Sequence, residues 1–91
     1  QRFDSRKEAQ RYLDLLLLQR AGEISGLERQ VVFTLFEKSK YGRAVKYIAD
    51  FTYTDRQGNL VIEDAKGYRT DVYKLKKRMM AELLGIEIKE V

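Results

Sequence analysis

The sequence contains no cysteine and no histidine. Without cysteine there are no thiolate zinc sites and no cysteine nucleophile, and the chain fits a reducing compartment. Without histidine there are no serine–histidine triads, no histidine metal motifs and no imidazole general base. Chemistry is left to carboxylates, lysine and tyrosine. An apolar run of about eighteen residues, the minimum for a membrane span, is also missing, and no signal or transit segment is visible. The chain opens on Gln1-Arg2-Phe3 without a methionine, which suggests a fragment lacking an N-terminal segment.

What is present is one small domain over residues 1–91, with 44% hydrophobic and 35% charged residues, the balance of an ordinary soluble globular chain. At this size about 60–65% of the unfolded surface is buried, so the core is small. Eighteen basic against fourteen acidic residues leave a formal charge of +4. That excess is compatible with a polyanionic partner, and it leaves a small-molecule substrate without a signal.

The most informative stretch is Tyr47 to Gly67, YIADFTYTDRQGNLVIEDAKG. Val45, Tyr47, Ala49, Phe51 and Tyr53 alternate with more polar residues, and Leu60, Val61 and Ile62 form a second β-rich run. Asp55 to Asn59 between them is turn chemistry, and a hairpin there pairs Thr54 with Leu60. Counting back, Asp50 falls opposite Asp64. Alternation then puts Asp50, Asp64 and Lys66 on one face and turns Glu63 to the other. Two facing carboxylates repel unless something positive lies between them. A divalent cation would resolve the conflict, and two acids with a nearby ammonium suit phosphodiester cleavage. The competing reading is a solvent-facing strand end in which Lys66 neutralises one acid.

Around the hairpin, Ser5 and Glu8 have capping-box spacing at the start of a helix running to about Ala21, where Gly22 stops it. Its apolar stripe reads Ala9, Tyr12, Leu13 and Leu16, with Glu8 on the edge. Leu15 to Leu18 cover every side of the last turn, which motivates a homodimer. Glu23 to Arg29 reads as a connector, and Gln30 to Phe36 as a strand covered on both faces. Glu37 to Arg43 reads as a polar loop. After a turn at Gly67-Tyr68-Arg69, Thr70 or Asp71 caps a second helix of about Asp71 to Leu84, ended by Gly85. Its expected buried stripe is Val72, Leu75, Met79 and Leu83. Lys74, Lys77 and Arg78 lie away from that stripe, and Lys76 sits at its margin. Ile86 to Val91 closes the chain as a strand. The order helix, three strands, helix, strand predicts an α/β fold, a mixed four-stranded sheet with flanking helices whose last strand is parallel to its neighbour.

An acid on the first helix, an Asp in the second strand and Asp64-Ala65-Lys66 in the third, set in this order of elements, resemble the PD-(D/E)xK, restriction-endonuclease-like nuclease superfamily. Ala49 stands where that family's name-giving proline would be. The wording of FDSRKEAQRYLDLLLLQRAGEI, YIADFTYTDRQGNLVIEDAKG and TDVYKLKKRMMAELLGIEIKEV looks like a small phage-encoded branch of it, long catalogued as a domain of unknown function. The resemblance implies a Mg²⁺-dependent endodeoxyribonuclease, with Mn²⁺ as substitute, acting in the cytoplasm of a phage-infected or prophage-carrying bacterium. The resemblance does not by itself select a substrate: branched or recombination DNA such as Holliday junctions is one expectation, and RNA stays open beside it. It further implies catalytic roles for Glu8, Asp50, Asp64 and Lys66, with Glu8, Asp50, Asp64 and the Ala65 backbone carbonyl around the metal. Tyr68, Arg69, Lys74, Lys76 and Lys77 would touch nucleic acid. The alternative is a non-catalytic nucleic-acid-binding module of a phage DNA-processing complex, and for Glu8 alone the alternative is a helix cap.

Overall fold

The computed structural model describes residues 3, 5–65 and 68–91. The elements run α1 (Arg6–Arg20), β1 (Ile24–Phe36), β2 (Val45–Asp55), β3 (Leu60–Asp64), α2 (Asp71–Leu84) and β4 (Lys89–Glu90). One sheet has the order β1-β2-β3-β4, antiparallel through β3, with β4 parallel to β3. This is the mixed α/β architecture expected from the sequence. Among the described residues no helix is long and apolar enough to cross a membrane.

Local chemistry sets the ends of the elements. Ser5 Oγ accepts the Glu8 N–H at 3.1 Å, and Thr70 Oγ1 accepts that of Tyr73 at 3.1 Å, each satisfying a donor that the first helical turn leaves open. Gly85, at φ 67°, takes the left-handed conformation that stops α2. In the hairpin, Asp55 Oδ1 accepts the N–H groups of Gln57 and Asn59 at 3.0 and 2.9 Å, which closes the turn and pairs Thr54 with Leu60 as expected.

Other boundaries moved. The stretch from Ile24 to Arg29 is strand, not connector, since β1 pairs from Ile24 opposite Asp55 onward. A register shift between Ser25 and Glu28, with Gly26 at φ 64°, breaks the alternation that would have marked it. The final strand shrinks to Lys89–Glu90, while Ile86 and Ile88 pack into the core instead. Nor is β1 covered on both faces: Leu35 is buried, but Val32 and Phe36 are exposed.

The core has two parts. Leu35, Tyr47, Ala49, Ile62, Tyr73, Met80 and Ile88 form the part under α2, and Leu15, Ile24, Phe51 and Tyr53 the part under α1. Fully burying Phe51, Leu15 or Met80 is worth about 1.5–3 kcal/mol each. Tyr47 and Ala49 belong to one cluster and Phe51 and Tyr53 to the other. Strict alternation along β2 is therefore interrupted at Asp50.

Both helices bury a different stripe from the one their apolar residues predict. In α1 the buried residues are Glu8 and Leu15, whereas Leu13 and Leu16 face solvent and Leu17 is 64% exposed. In α2 they are Tyr73 and Met80, with Met79 partly buried; Leu75 and Leu83 are exposed, and Val72 is 62% exposed. The reason is polar. Turning these helices brings Glu8 to Gln30 and the Tyr73 hydroxyl to Glu90, at the expense of leucine burial.

Candidate active site

Three acids expected at the site are buried, and they come from three elements: Glu8 (3% exposed) from α1, Asp50 (8%) from β2 and Asp64 from β3. Burying a carboxylate is costly unless donors surround it, so the donors define the site. The β2–β3 ladder stops at Phe51↔Glu63, one residue short of Asp50 and Asp64. From there a side chain takes over, and Asp50 Oδ2 accepts the Ala65 N–H at 2.8 Å. The other oxygen of Asp50 lies 3.4 Å from Gln30 Nε2, which also donates to Glu8 Oε2 at 3.0 Å. One amide nitrogen thus joins the helix acid to the strand acid.

Gln30 reaches this position through its backbone. The pairs Arg29↔Phe51 and Val31↔Ala49 bracket it opposite Asp50, where β2 also loses its alternation. Gln30 has φ 53°, the sole positive φ of a non-glycine residue among those described. Such a conformation costs a residue with a Cβ about 1–2 kcal/mol and is common where function constrains the backbone.

Beside it, Arg29 Nη2 stands 3.6 Å from Glu8 Oε2, and the guanidinium lies 4.0 Å from the Phe3 ring centroid and 5.3 Å from that of Tyr12. Ser5 caps α1 through the backbone of Glu8, while Oε2 of Glu8 points to Gln30 and Arg29. The helix-cap explanation of Glu8 therefore accounts for its N–H and leaves the direction of its carboxylate to the site.

Asp64 is held differently. The Tyr47 hydroxyl donates to Asp64 Oδ2. Burial, this bond and the charge of Asp64 raise the Tyr47 pKa, and the charge of Asp50 pushes it in the same direction. The two aspartates expected to face each other across an empty repulsion are thus each supplied with neutral donors. Lys66 lies outside the described residues.

Glu63 points elsewhere, as alternation requires. Arg11 Nε and Nη2 donate to its two oxygens at 2.8 and 2.7 Å, and the Tyr53 hydroxyl donates to it as well. Burial, reinforced by that bond, pushes the Tyr53 phenol up to about 12.

The expected nucleic-acid residues divide. Arg69 and Lys77 are ion-paired to Glu90 at 2.9 and 3.1 Å, and the Tyr73 hydroxyl donates to the same carboxylate at 2.7 Å. That phenol bond and the two cations hold the Glu90 pKa below its usual range. Lys74 is exposed beside them. Tyr68 and the half-buried Lys76 instead line a groove with Lys46 and Tyr47. Sequence reasoning missed Gln30, Arg29, Arg11 and Lys46. Tyr47, three residues before Asp50, had been read as a core position, and it is one that also orders an acid.

Three carboxylates, a backbone carbonyl and an amide are the oxygen donors that hard divalent cations take. In the arrangement seen, no three acids among the described residues stand near enough to grip one ion jointly. The Gln30 amide nitrogen lies between Glu8 and Asp50, 3.0 Å from one carboxylate and 3.4 Å from the other.

A family model matches residues 1–88, almost the whole chain. The chain belongs to DUF1064, a family of proteins of unknown function. Comparison of this DUF1064 chain with curated proteins and with solved structures gives no match.

Proposed function

We propose that this DUF1064 chain is a metal-dependent endonuclease that hydrolyses phosphodiester bonds of branched or recombination DNA. The observation that carries the reading is the Gln30 amide between two buried carboxylates of different elements, within 3.4 Å of both. A stable fold gains little from converging buried acids on one neutral donor, whereas a cation site requires such convergence. Glu8, Asp50 and Asp64, with the Ala65 carbonyl, would hold Mg²⁺ or Mn²⁺. A cation so held polarises the phosphodiester and lowers the pKa of a bound water. The chain's own part is orientation: Tyr47 fixes the rotamer of Asp64, the Ala65 N–H fixes Asp50, and Arg29 steadies Glu8. Lys66 is assigned to the phosphate or the attacking water, and Lys76 is the alternative candidate for the cation near the phosphate.

The absence of a ready three-acid cluster among the described residues favours a second reading, a DNA-binding module without catalysis. Incubation with Mg²⁺ or Mn²⁺ and plasmid, linear or four-way-junction DNA separates the two. The nuclease reading expects cleavage that EDTA or Asp64→Asn abolishes. Salt-sensitive binding indifferent to both, with no product, would establish the second.

A homodimer follows from the same proposal, because two strands or arms need two sites. Its interface is the leucine face that α1 leaves bare at Leu13, Leu16 and Leu17. Sedimentation is expected to show a dimer at micromolar concentration that Leu17→Lys converts to monomer, and a wild-type monomer removes the idea.

A further inference from the structure

The basic residues around α2 fall into two sets of unequal availability. On one side, Arg69 and Lys77 are taken up by Glu90, and Arg78 by Glu82. On the other, Lys46 of β2 and Lys76 of α2 line a groove that contains no acid among the described residues, and neither lysine makes an ion pair there. The groove thus offers two lysines outside an ion pair, whereas Arg69 and Lys77 are paired and Lys74 stands exposed beside them.

Its remaining walls are aromatic and apolar. Tyr68 is 80% exposed at one end, and Ile48 and Val72 lie bare along it. In a protein this small, exposed apolar faces beside unneutralised lysines describe a surface for something both anionic and flat-faced. Base pairs in a duplex hide their faces by stacking, so a duplex would use the lysines alone, whereas an unpaired strand can use rings and lysines together. Tyr47 forms part of the same groove and donates its hydroxyl to Asp64. Tyr47 is thus shared between the groove and the candidate site.

We propose that the β2–α2 groove seats a single nucleic-acid strand, with Lys46 and Lys76 on its phosphates and Tyr68 stacked on an unpaired base. This rests on the nuclease reading and names its substrate class: a strand unpaired next to the point of cleavage, as found at junctions, flaps and ends.

The test is titration by fluorescence anisotropy, in EDTA, of an unstructured DNA strand, its RNA counterpart and the corresponding duplex. The wild type is expected to prefer a single strand to the duplex, and the DNA and RNA arms identify the sugar. Each of Lys46→Ala and Lys76→Ala lowers the slope of log affinity against log salt by about 0.7. Tyr68→Ala weakens strand binding about tenfold while Tyr68→Phe retains it, and Lys77→Ala leaves affinity within about twofold. The proposal is overturned by tighter duplex binding, by no binding at all, or by Lys77→Ala costing as much as Lys76→Ala. Strand binding through these residues without cleavage by the metal-supplied protein would keep the groove and remove the nuclease. Cleavage indifferent to Lys46, Lys76 and Tyr68 would do the reverse.

Discussion

Glu63 and the Glu8–Asp50 pair are buried acids on the α1 side of one small domain, yet their surroundings differ in kind. Glu63 meets a guanidinium that donates to both of its oxygens, and a phenol besides. Glu8 and Asp50 share one neutral amide, with the Ala65 N–H on Asp50 at 2.8 Å and Arg29 at 3.6 Å from Glu8. The first arrangement is finished: charge is balanced, and the bond raises the Arg11 pKa further above its ordinary value. The second gathers two acids from different elements around one shared neutral amide. On the reading proposed above, acids that tie α1 to the sheet for stability look like Glu63, and acids that await a cation look like Glu8 and Asp50.

The comparison is broken most severely at Arg11. Arg11→Ala leaves a carboxylate with no exposed surface beside only a phenol and the distant Lys89 amine, 4.0 Å away. Removing one partner of a buried pair costs about 3–5 kcal/mol, a large share of the stability of a domain this size. Urea denaturation at neutral pH checks it. A loss of under about 1 kcal/mol would show that Glu63 is not held by charge pairing, and the distinction from Asp50 would go with it.

How far the sequence reveals this contrast depends on the distance over which each feature is decided. The turn from Asp55 to Asn59 fixes the hairpin register by itself, so Thr54↔Leu60 and the placement of Asp50 near Asp64 were legible. Ser5, Thr70 and Gly85 fix the helix ends equally locally. Which face a helix buries is not local. Apolar periodicity pointed α1 inward through Leu13 and Leu16, but partners for Glu8 and Arg11 lie twenty-two and fifty-two residues away and turned the helix. Arg69 and Lys77 read as free cations because Glu90 is far along the chain. Gln30 gave no signal, since a polar residue entering a strand is usually a surface residue. Its role emerges from a backbone conformation and from two acids that only the folded sheet brings near.

Gln30 therefore offers the sharpest small test. If its amide serves the acids, and its φ of 53° is the strain accepted to place it, the two contributions can be separated by what replaces it. Gln30→Ala loses the amide and keeps the strain, since a Cβ remains. Gln30→Gly loses the amide and relieves the strain, because glycine adopts positive φ freely. In an ordinary strand glycine is less stable than alanine; here the order is expected to invert, with the glycine variant about 1 kcal/mol the more stable of the two. Both should fall below the wild type without metal, because both leave Glu8 and Asp50 short of a donor. With Mg²⁺ present that deficit should shrink, a cation between the carboxylates replacing what the amide supplied, whereas an Arg11→Ala deficit should not move. Equal midpoints for the glycine and alanine variants would show that the Gln30 backbone stores no strain. A deficit that Mg²⁺ leaves unchanged would place Glu8 and Asp50 in the same class as Glu63, acids that hold the fold and do nothing else.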